Sequence, residues 1–478
     1  MTESGSDTGS TYSCMIHKKG EGIIHMKINW FHRSNDPTQE LCVYERVAYA
    51  SCNTGIVWSY ILIGSFLTFY YTNIVGLDPA IIGSIILGSK LLDGFSDLLM
   101  GVVVDKTHTK MGKARPWILF MALPHAIATV LAFSVPGSLA QAHQYIYVFA
   151  TYNLVNSVTY TMISVPMFAQ NVLNTTNSQE RAKSGIWMQI GANLVILLVN
   201  ATCVKFVDML GGTGAAWRIV SACYAAAGAA MMVFSALNTR ERVVPAPEEY
   251  KIPIKKRLLA VVQNKYWWVY TIANVFITTS TSIGNAGCLY YCNDVLGSKG
   301  SFATLSNAKS MVALFVLTFM MGWLIKKLGV MLTRSLCYVF NIIGCIGMYF
   351  ATGSMVALIF YSVMGIAWAC LLGAQGALLA DTCEYGGRRA GFDVSGVTNA
   401  SQSFVSKVSQ GLGSAILGYT LSYFGYNGMA AVQTERAVFG VRIAFCIVPL
   451  LLYIISAIIF SQFDLYKKGY LNNKALQD

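Results

Sequence analysis

One apolar segment carries charged side chains at a spacing that could bind a cation. Lys90, Asp93 and Asp97 stand at positions i, i+3 and i+7, and Ser96 lies beside them. In an α-helix such residues share one face. Two carboxylates one turn apart can supply oxygen ligands to a hard cation, or share a proton because like charges oppose each other's ionisation. The competing interpretation is an inert Lys–Asp pair that only joins two helices.

Other polar side chains also interrupt apolar segments. Lys407 is flanked by small polar residues in mid-segment, so its ammonium could contact a substrate oxygen or one of the two carboxylates. Thr161 and Ser164 place hydroxyl groups on one face of a further predicted helix, where packing is the competing interpretation. Lys309 lies nearer the end of its segment, where its ammonium could equally reach the membrane interface.

The chain around these residues has the composition of a membrane protein. Its 478 residues are 55% hydrophobic and 12% charged, whereas soluble domains carry about 25% charged residues. A membrane helix needs roughly 20 mostly apolar residues, and a charge at the bilayer centre costs about 2.5–3.5 kcal/mol, which makes the internal charges functional candidates. The predicted fold is an all-α membrane protein with twelve transmembrane helices in two six-helix bundles.

The predicted organisation can be given by residue. The tail 1–44 is expected to be polar and disordered, and it is followed by a bundle at 45–237, a central loop at 238–266, a bundle at 267–462 and a tail at 463–478. The predicted helices cover 47–72, 78–103, 116–135, 143–170, 184–205, 215–237, 267–293, 301–325, 331–352, 354–380, 395–424 and 437–462.

Basic residues are distributed unevenly between the two predicted sides of the membrane. Of the 34 Lys and Arg, 26 fall in the tails and loops of one side, five on the other side and three inside helices. Basic loops stay cytoplasmic, so both termini and the central loop are predicted to be cytoplasmic in a multi-pass protein of the cell membrane. This also explains the net charge of +12 without a nucleic-acid partner. No Cys/His cluster predicts a metal site, and no cofactor is expected.

The loop after the second predicted helix combines glycine with charge. It contains Asp105, Lys106, Gly112, Lys113 and Arg115, and the corresponding loop of the second half repeats this pattern weakly. Such charges can bridge helix ends in one conformation and separate in another, which predicts a gating role. Ordinary basic loops are the alternative.

These motifs resemble the glycoside–pentoside–hexuronide:cation symporters, a branch of the major facilitator superfamily that includes melibiose, xyloside and glucuronide carriers. The similarity extends from about residue 45 to about residue 470 and is carried by the stretches 70–77, 92–97, 112–117 and 380–386. The resemblance implies symport of a sugar with H⁺ or Na⁺ by alternating access, and it implies no metal beyond Na⁺.

The resemblance also implies roles for single residues. Asp93 and Asp97 match the cation-site aspartates, Thr161 matches the cation-site threonine of helix 4, and Lys407 matches the lysine of helix 11. Lys90 falls where a basic residue is usual.

Other positions depart from the family pattern. Ser96 replaces the asparagine of sodium-coupled melibiose carriers, which leaves protons open as the coupling ion. At the positions of the family's sugar site the chain has Val57, Asn53, Ser164 and Phe168, and the helix 5 arginine has no counterpart. The coupling site is therefore predicted to be kept and the sugar site to be changed.

The sequence thus predicts a cation-coupled importer of a small molecule, a glycoside in first place. Asp381 and Glu384 match the acidic pair of the family's cytoplasmic loop between helices 10 and 11, with a conformational role. The alternatives are an uncoupled facilitator or exporter of a less hydroxylated solute and a transport-inactive sensor. A membrane-embedded enzyme is not expected, because the sequence presents no nucleophile–base pair or metal cluster.

Overall fold

The computed structural model describes residues 12–15, 25–28, 30, 36–243, 253–430 and 432–466. Long helices fill the first half of the chain. They are α1 (Val43–Ile61, continued by π-helical turns at Leu62–Leu67 and Tyr70–Ile74), α2 (Pro79–Lys106), α3 (Arg115–Ala132), α4 (Gln141–Asn153, Leu154–Tyr160 in π geometry, Thr161–Asn174), α5 (Ser178–Met209) and α6 (Gly214–Asn238).

The second half follows the same plan after a short helix in the central loop. Its elements are α7 (Ile254–Val262), α8 (Lys265–Tyr290, continued by Tyr291–Val295), α9 (Ser301–Phe315, Val316–Met320, Met321–Tyr349), α10 (Ser354–Ala390), α11 (Ser395–Tyr423) and α12 (Glu435–Arg442, Ile443–Ile447, Val448–Phe460). Gly329 has a φ of 77°, which divides α9 into two arms. These arms correspond to the eighth and ninth predicted helices.

The helical architecture agrees with the prediction. Every predicted helix coincides with a helical segment, and within the described ranges seven helices are long and apolar enough to cross a membrane. The number of segments that do cross stays a prediction. In the N-terminal tail the structure has two paired antiparallel strands, β1 (Tyr12–Met15) and β2 (His25–Ile28); most other residues of that tail lie outside the described ones.

Two boundaries differ from the prediction and change the setting of the predicted gating residues. The helix α2 ends at Lys106, so Asp105 and Lys106 belong to its last turn and not to a loop. The helix α10 ends at Ala390, where Gly391 adopts a left-handed φ of 75°. Asp381 and Glu384 are therefore helical, which corrects their predicted place in a loop.

The two halves meet most closely where α2 packs against α11. A Cβ atom added at Gly418 would lie 2.1 Å from the Pro79 carbonyl oxygen, and one added at Gly83 would lie 2.8 Å from the Ser414 carbonyl oxygen. Small residues allow helix backbones to approach in this way. The contact brings the charged faces of the two helices together.

Polar contacts close the end of the molecule that is predicted to be external. The Thr72 hydroxyl lies 2.6 Å from the Tyr290 hydroxyl, the Asn73 amide donates to the Tyr426 hydroxyl at 2.8 Å, and Tyr426 donates to Asp294 at 2.9 Å. Each of the first two bonds joins one half of the chain to the other. This end is therefore sealed between the halves.

Candidate functional site

A lysine of α11 lies between the two carboxylates of α2. Lys407 Nζ is 3.1 Å from Asp93 Oδ1 and 2.5 Å from Asp97 Oδ2. Lys90 Nζ lies 3.8 Å from Asp93 Oδ2. The structure thus brings together four charges that the sequence singled out on two separate segments, and their formal charges cancel.

Hydroxyl groups complete the surroundings of these carboxylates. Thr161 Oγ1 lies 3.2 Å from Asp93 Oδ1 and 3.0 Å from Asp97 Oδ1. Ser96 Oγ donates to the Asp93 backbone carbonyl at 2.9 Å and lies 3.4 Å from Thr161 Oγ1. The Ser96 hydroxyl is therefore engaged by the backbone of its own helix. The Asp93 side chain is 2% exposed and that of Asp97 is 26% exposed, so a small ion would reach the pair from the side of Asp97.

Glycines on both helices allow this cluster to form. A Cβ atom added at Gly94 would lie 2.2 Å from the Phe404 ring, one turn from Lys407. One added at Gly411 would lie 3.1 Å from Lys90 Cβ. A larger residue at Gly94 would push the helices apart at the level where Lys407 contacts the aspartates.

A cavity of about 440 Å³ lies between the halves, a size typical of small-molecule sites. Aromatic residues of its wall include Tyr60, Tyr361 and Trp368. Its amide side chains are those of Asn193, Asn200, Asn274, Asn285, Gln375 and Gln410. A second cavity of about 50 Å³ shares Tyr60 and Gln410 with the first and is also lined by Lys90. The large cavity is thus adjacent to the charged cluster.

The predicted sugar-site residues are placed apart from this cavity. Asn53 donates to the Met188 carbonyl at 3.4 Å, Ser164 is buried within α4, and Phe168 is 63% exposed. None of the three lines the cavity. Most of its polar wall comes from the second half, where the sequence had singled out only Lys309 and the small polar residues around Lys407. The signal available was the recurrence of Asn, Gln, Ser and Thr within apolar helices such as α8.

The predicted gating loop after α2 is anchored by a residue that sequence reasoning missed. The Glu241 carboxylate accepts hydrogen bonds from the backbone N–H groups of Lys113, Ala114 and Arg115 at 2.7, 2.9 and 3.0 Å. Gly112 precedes them with a φ of 105°. These amides begin α3, and a helix N-terminus favours a negative charge. Glu241 follows α6 in the connector, where no pattern marked it.

The acidic pair of α10 makes contacts within its own half. Asp381 accepts a hydrogen bond from the Tyr466 hydroxyl, and Glu384 forms an i,i+4 ion pair with Arg388. Asp381 and Glu384 are thus placed at the end of α10, away from Asp93 and Asp97.

The sequence matches the protein family described as MFS/sugar transport protein over residues 48–467. The chain belongs to this family. The predicted resemblance is thereby confirmed, and the chain is a multi-pass membrane transporter and not an enzyme.

Several curated relatives of this MFS/sugar transport protein are similar over most of their length. It is 29% identical over 445 residues to the uncharacterized symporter YnaJ of Bacillus subtilis, covering 92% of this chain and 95% of the relative. It is 26% identical to the isoprimeverose transporter of Lactiplantibacillus pentosus, covering 87% of each. It is 27% identical to a putative 2,3-dihydroxypropane-1-sulfonate exporter of Salmonella typhimurium, covering 92% of this chain and 96% of the relative.

Solved structures support the fold. A bacterial homologue of the human lysosomal transporter Spinster, in an inward-facing and unoccupied conformation, superposes with a TM-score of 0.66 at 15% identity, covering 89% of this chain and 96% of that one. At this identity the similarity concerns the fold alone.

Proposed function

We propose that this protein is a secondary active transporter that moves a glycoside into the cell together with H⁺ or Na⁺ by alternating access. The observation that carries the proposal is the Lys407 ammonium held between Asp93 and Asp97. Two carboxylates from the first half and a cation from the second half form one site across the junction. Both termini are proposed to be cytoplasmic.

Competition between Lys407 and the coupling ion would link ion binding to movement of the halves. An ion or proton that neutralises Asp97 weakens its attraction for Lys407, because the charge-assisted bond loses its anionic partner. Breaking a buried ion pair is costly when one charge is left alone. Neutralisation of Asp97 by an ion or proton would therefore release α11 from α2. Without a bound ion, the ionised aspartates would hold Lys407 and keep the two helices together.

The cavity supports a polyhydroxylated substrate. Amide side chains can both donate and accept hydrogen bonds, which suits the hydroxyl groups of a sugar. Asn200 Oδ1 is buried and has no hydrogen-bond partner among the described residues. The isoprimeverose transporter, a relative by sequence, is named for a sugar substrate. A less hydroxylated solute, the alternative considered from the sequence, fits this wall less well.

Ser96 favours the proton over sodium as the coupling ion. Sodium needs several oxygen ligands at once, whereas a proton needs one carboxylate. The Ser96 hydroxyl donates to the backbone, at 2.9 Å from the Asp93 carbonyl oxygen. A hydroxyl held in this way is a weaker sodium ligand than the amide oxygen of the sodium-coupled relatives, and the other ligands are the two carboxylates and Thr161 Oγ1.

Transport into proteoliposomes tests the proposal. Purified protein is reconstituted, a labelled glycoside such as isoprimeverose is added outside, and either a pH gradient or a sodium gradient is imposed. Accumulation driven by the pH gradient, with proton movement alongside the sugar, is expected. Stimulation by sodium alone would overturn the proton assignment, and equilibration without accumulation under both gradients would show an uncoupled facilitator.

Export is the second candidate, because two relatives are named as putative exporters. Vesicles loaded with substrate distinguish it from import. Exit driven by an inward ion gradient would indicate antiport export, whereas symport predicts uptake under the same gradient.

A further inference from the structure

The large cavity contains a lysine that has no ion pair with any carboxylate of the residues that the structure describes. Lys309 of α9 lines this cavity together with amides, hydroxyls and aromatic rings. No Asp or Glu is among the lining residues, and within the described ranges none lies at ion-pair distance from Lys309 Nζ. This distinguishes Lys309 from Lys90 and Lys407, which both contact Asp93.

The position of Lys309 is fixed by the packing of its helix. A Cβ atom added at Gly365 of α10 would lie 2.4 Å from the Lys309 carbonyl oxygen, so the two helix backbones are in close contact there. Lys309 Nζ lies 4.9 Å from the centre of the Tyr361 ring. The ring face attracts a cation and orients it, but it does not compensate a full charge. The ammonium is therefore held at the cavity wall without a carboxylate partner among the described residues.

An unpaired charge inside a membrane protein is costly, and such residues mark binding sites for charged groups. The lining of this cavity combines amide and hydroxyl groups with aromatic rings, which suits a sugar-sized ligand. The sequence left open that the Lys309 ammonium reaches the membrane interface. In the structure, Lys309 instead lines the cavity together with Asn274 and Gln410.

We propose that Lys309 binds an anionic group of the substrate, so that the transported solute is a hydroxylated monoanion such as a sugar acid. The inference rests on the proposed transport function and narrows its substrate class from glycosides in general. One ammonium matches one carboxylate or one sulfonate. The amides of the wall would bind the hydroxyl groups, and Tyr361 and Trp368 would contact the apolar face of the ring.

A matched pair of probes tests this assignment by binding alone. 4-Nitrophenyl β-D-glucuronide and 4-nitrophenyl β-D-glucoside differ only by a carboxylate in place of a hydroxymethyl group. Binding to purified full-length protein in nanodiscs is followed by quenching of tryptophan fluorescence, to which Trp368 in the cavity wall contributes. The acidic probe is expected to bind about tenfold to hundredfold more tightly, as for a hydrogen bond to a charged group. The 6-sulfonate analogue forms a third arm, which distinguishes the two acids.

Variants assign the preference to the lysine. Lys309→Met is expected to remove the difference between acidic and neutral probes, whereas Lys309→Arg keeps the charge and the preference. Lys299→Met, which removes an exposed charge outside the cavity, is the matched control and should bind as the unmodified protein does.

The outcomes are separate from those of the transport assay. A neutral probe that binds as tightly as both acids, no binding of either acid, or a preference that persists in Lys309→Met would each overturn the assignment. The comparison of probes on the unmodified protein decides the point even if a variant does not fold. Because no ion gradient is present, a failure of coupled uptake leaves this result intact.

Discussion

Four charges in one small cluster are stable in an apolar environment only if they compensate one another. Lys407 contacts Asp93 and Asp97, and Lys90 lies 3.8 Å from Asp93. Desolvation of a charge costs several kcal/mol in proteins, and here opposite charges offset it at short range. If one of these charged side chains is removed, a neighbouring charge stays buried without its partner and its desolvation is no longer offset. The four side chains therefore depend on one another.

Asp93→Asn and Asp97→Asn should each abolish gradient-driven accumulation of substrate. An amide retains the shape but can neither take up a proton nor carry the charge that a cation requires. Uptake into proteoliposomes measures the effect, and size-exclusion chromatography of the purified variant checks that it is folded. Asp208→Asn, at an exposed position of α5, is the control and should accumulate substrate normally. Accumulation by both site variants would place coupling elsewhere.

The sequence was sufficient to single out the charged residues of this cluster, although it left open whether Lys407 contacts the aspartates or a substrate. Charged residues spaced i, i+3, i+7 on α2 and an isolated lysine on α11 are unusual in apolar segments. Because a charge inside the membrane is energetically costly, such residues stand out in the sequence. The cavity wall could not be found in this way, because single amides and hydroxyls in a helix have little cost and no fixed spacing. Which of them face the same space depends on how α5 and α8–α11 pack.

At the scale of elements, the junction between α2 and α3 depends on backbone geometry. Glu241 accepts hydrogen bonds from three consecutive N–H groups, and Gly112 allows the preceding turn with its φ of 105°. A Cβ atom added at Gly112 would lie 2.4 Å from the Glu241 carboxylate. This arrangement attaches the start of the central connector to α3.

Gly112→Ala should lower the stability of the protein by about 1–3 kcal/mol, from strain at a positive φ together with the disturbed bonds to Glu241. The thermal unfolding midpoint in detergent measures this change. Gly101→Ala is the matched control, since Gly101 lies in α2 with open space around it, and alanine favours a helix. Equal midpoints for the two variants would contradict the role given to the turn.

Helix positions could be predicted because long apolar segments are separated by short polar ones. The ends of the helices could be predicted less well from the sequence. The last turns of α10 contain the Glu384–Arg388 ion pair, and the helix ends at Gly391, local features that hydropathy does not detect. Glu241 was missed for another reason: its role depends on a contact with residues more than a hundred positions earlier in the chain.

At the scale of the whole molecule, the junction of the halves is closed at one end. Tyr426, in the loop after α11, accepts a hydrogen bond from Asn73 and donates one to Asp294, which connects this loop to both α1 and α8. In alternating access this contact has to break when the transporter opens on that side. Orientation in the membrane therefore decides from which compartment substrate reaches the cavity.

A membrane-impermeant maleimide should label Ser138→Cys and Ser298→Cys in intact cells, because both positions belong to loops predicted to be external. The 26-to-5 distribution of basic residues is the physical reason. Labelling of the unmodified protein gives the background, since the chain contains twelve cysteines. Reaction of Lys106→Cys or Arg388→Cys from outside would reverse the predicted orientation.

The formal charges of the cluster around Lys407 cancel, and this has a consequence for the membrane potential. In an empty carrier this cluster has no net charge, so the cluster itself adds no voltage dependence to the return of the carrier across the membrane. Moving one elementary charge through the full potential is worth about 2.3 kcal/mol per 100 mV. One coupling cation with a neutral sugar would therefore be drawn inward by a negative interior and would give a current. The same cation with a sugar acid at Lys309 would cross as a neutral pair, so uptake would follow the ion's concentration gradient without a current.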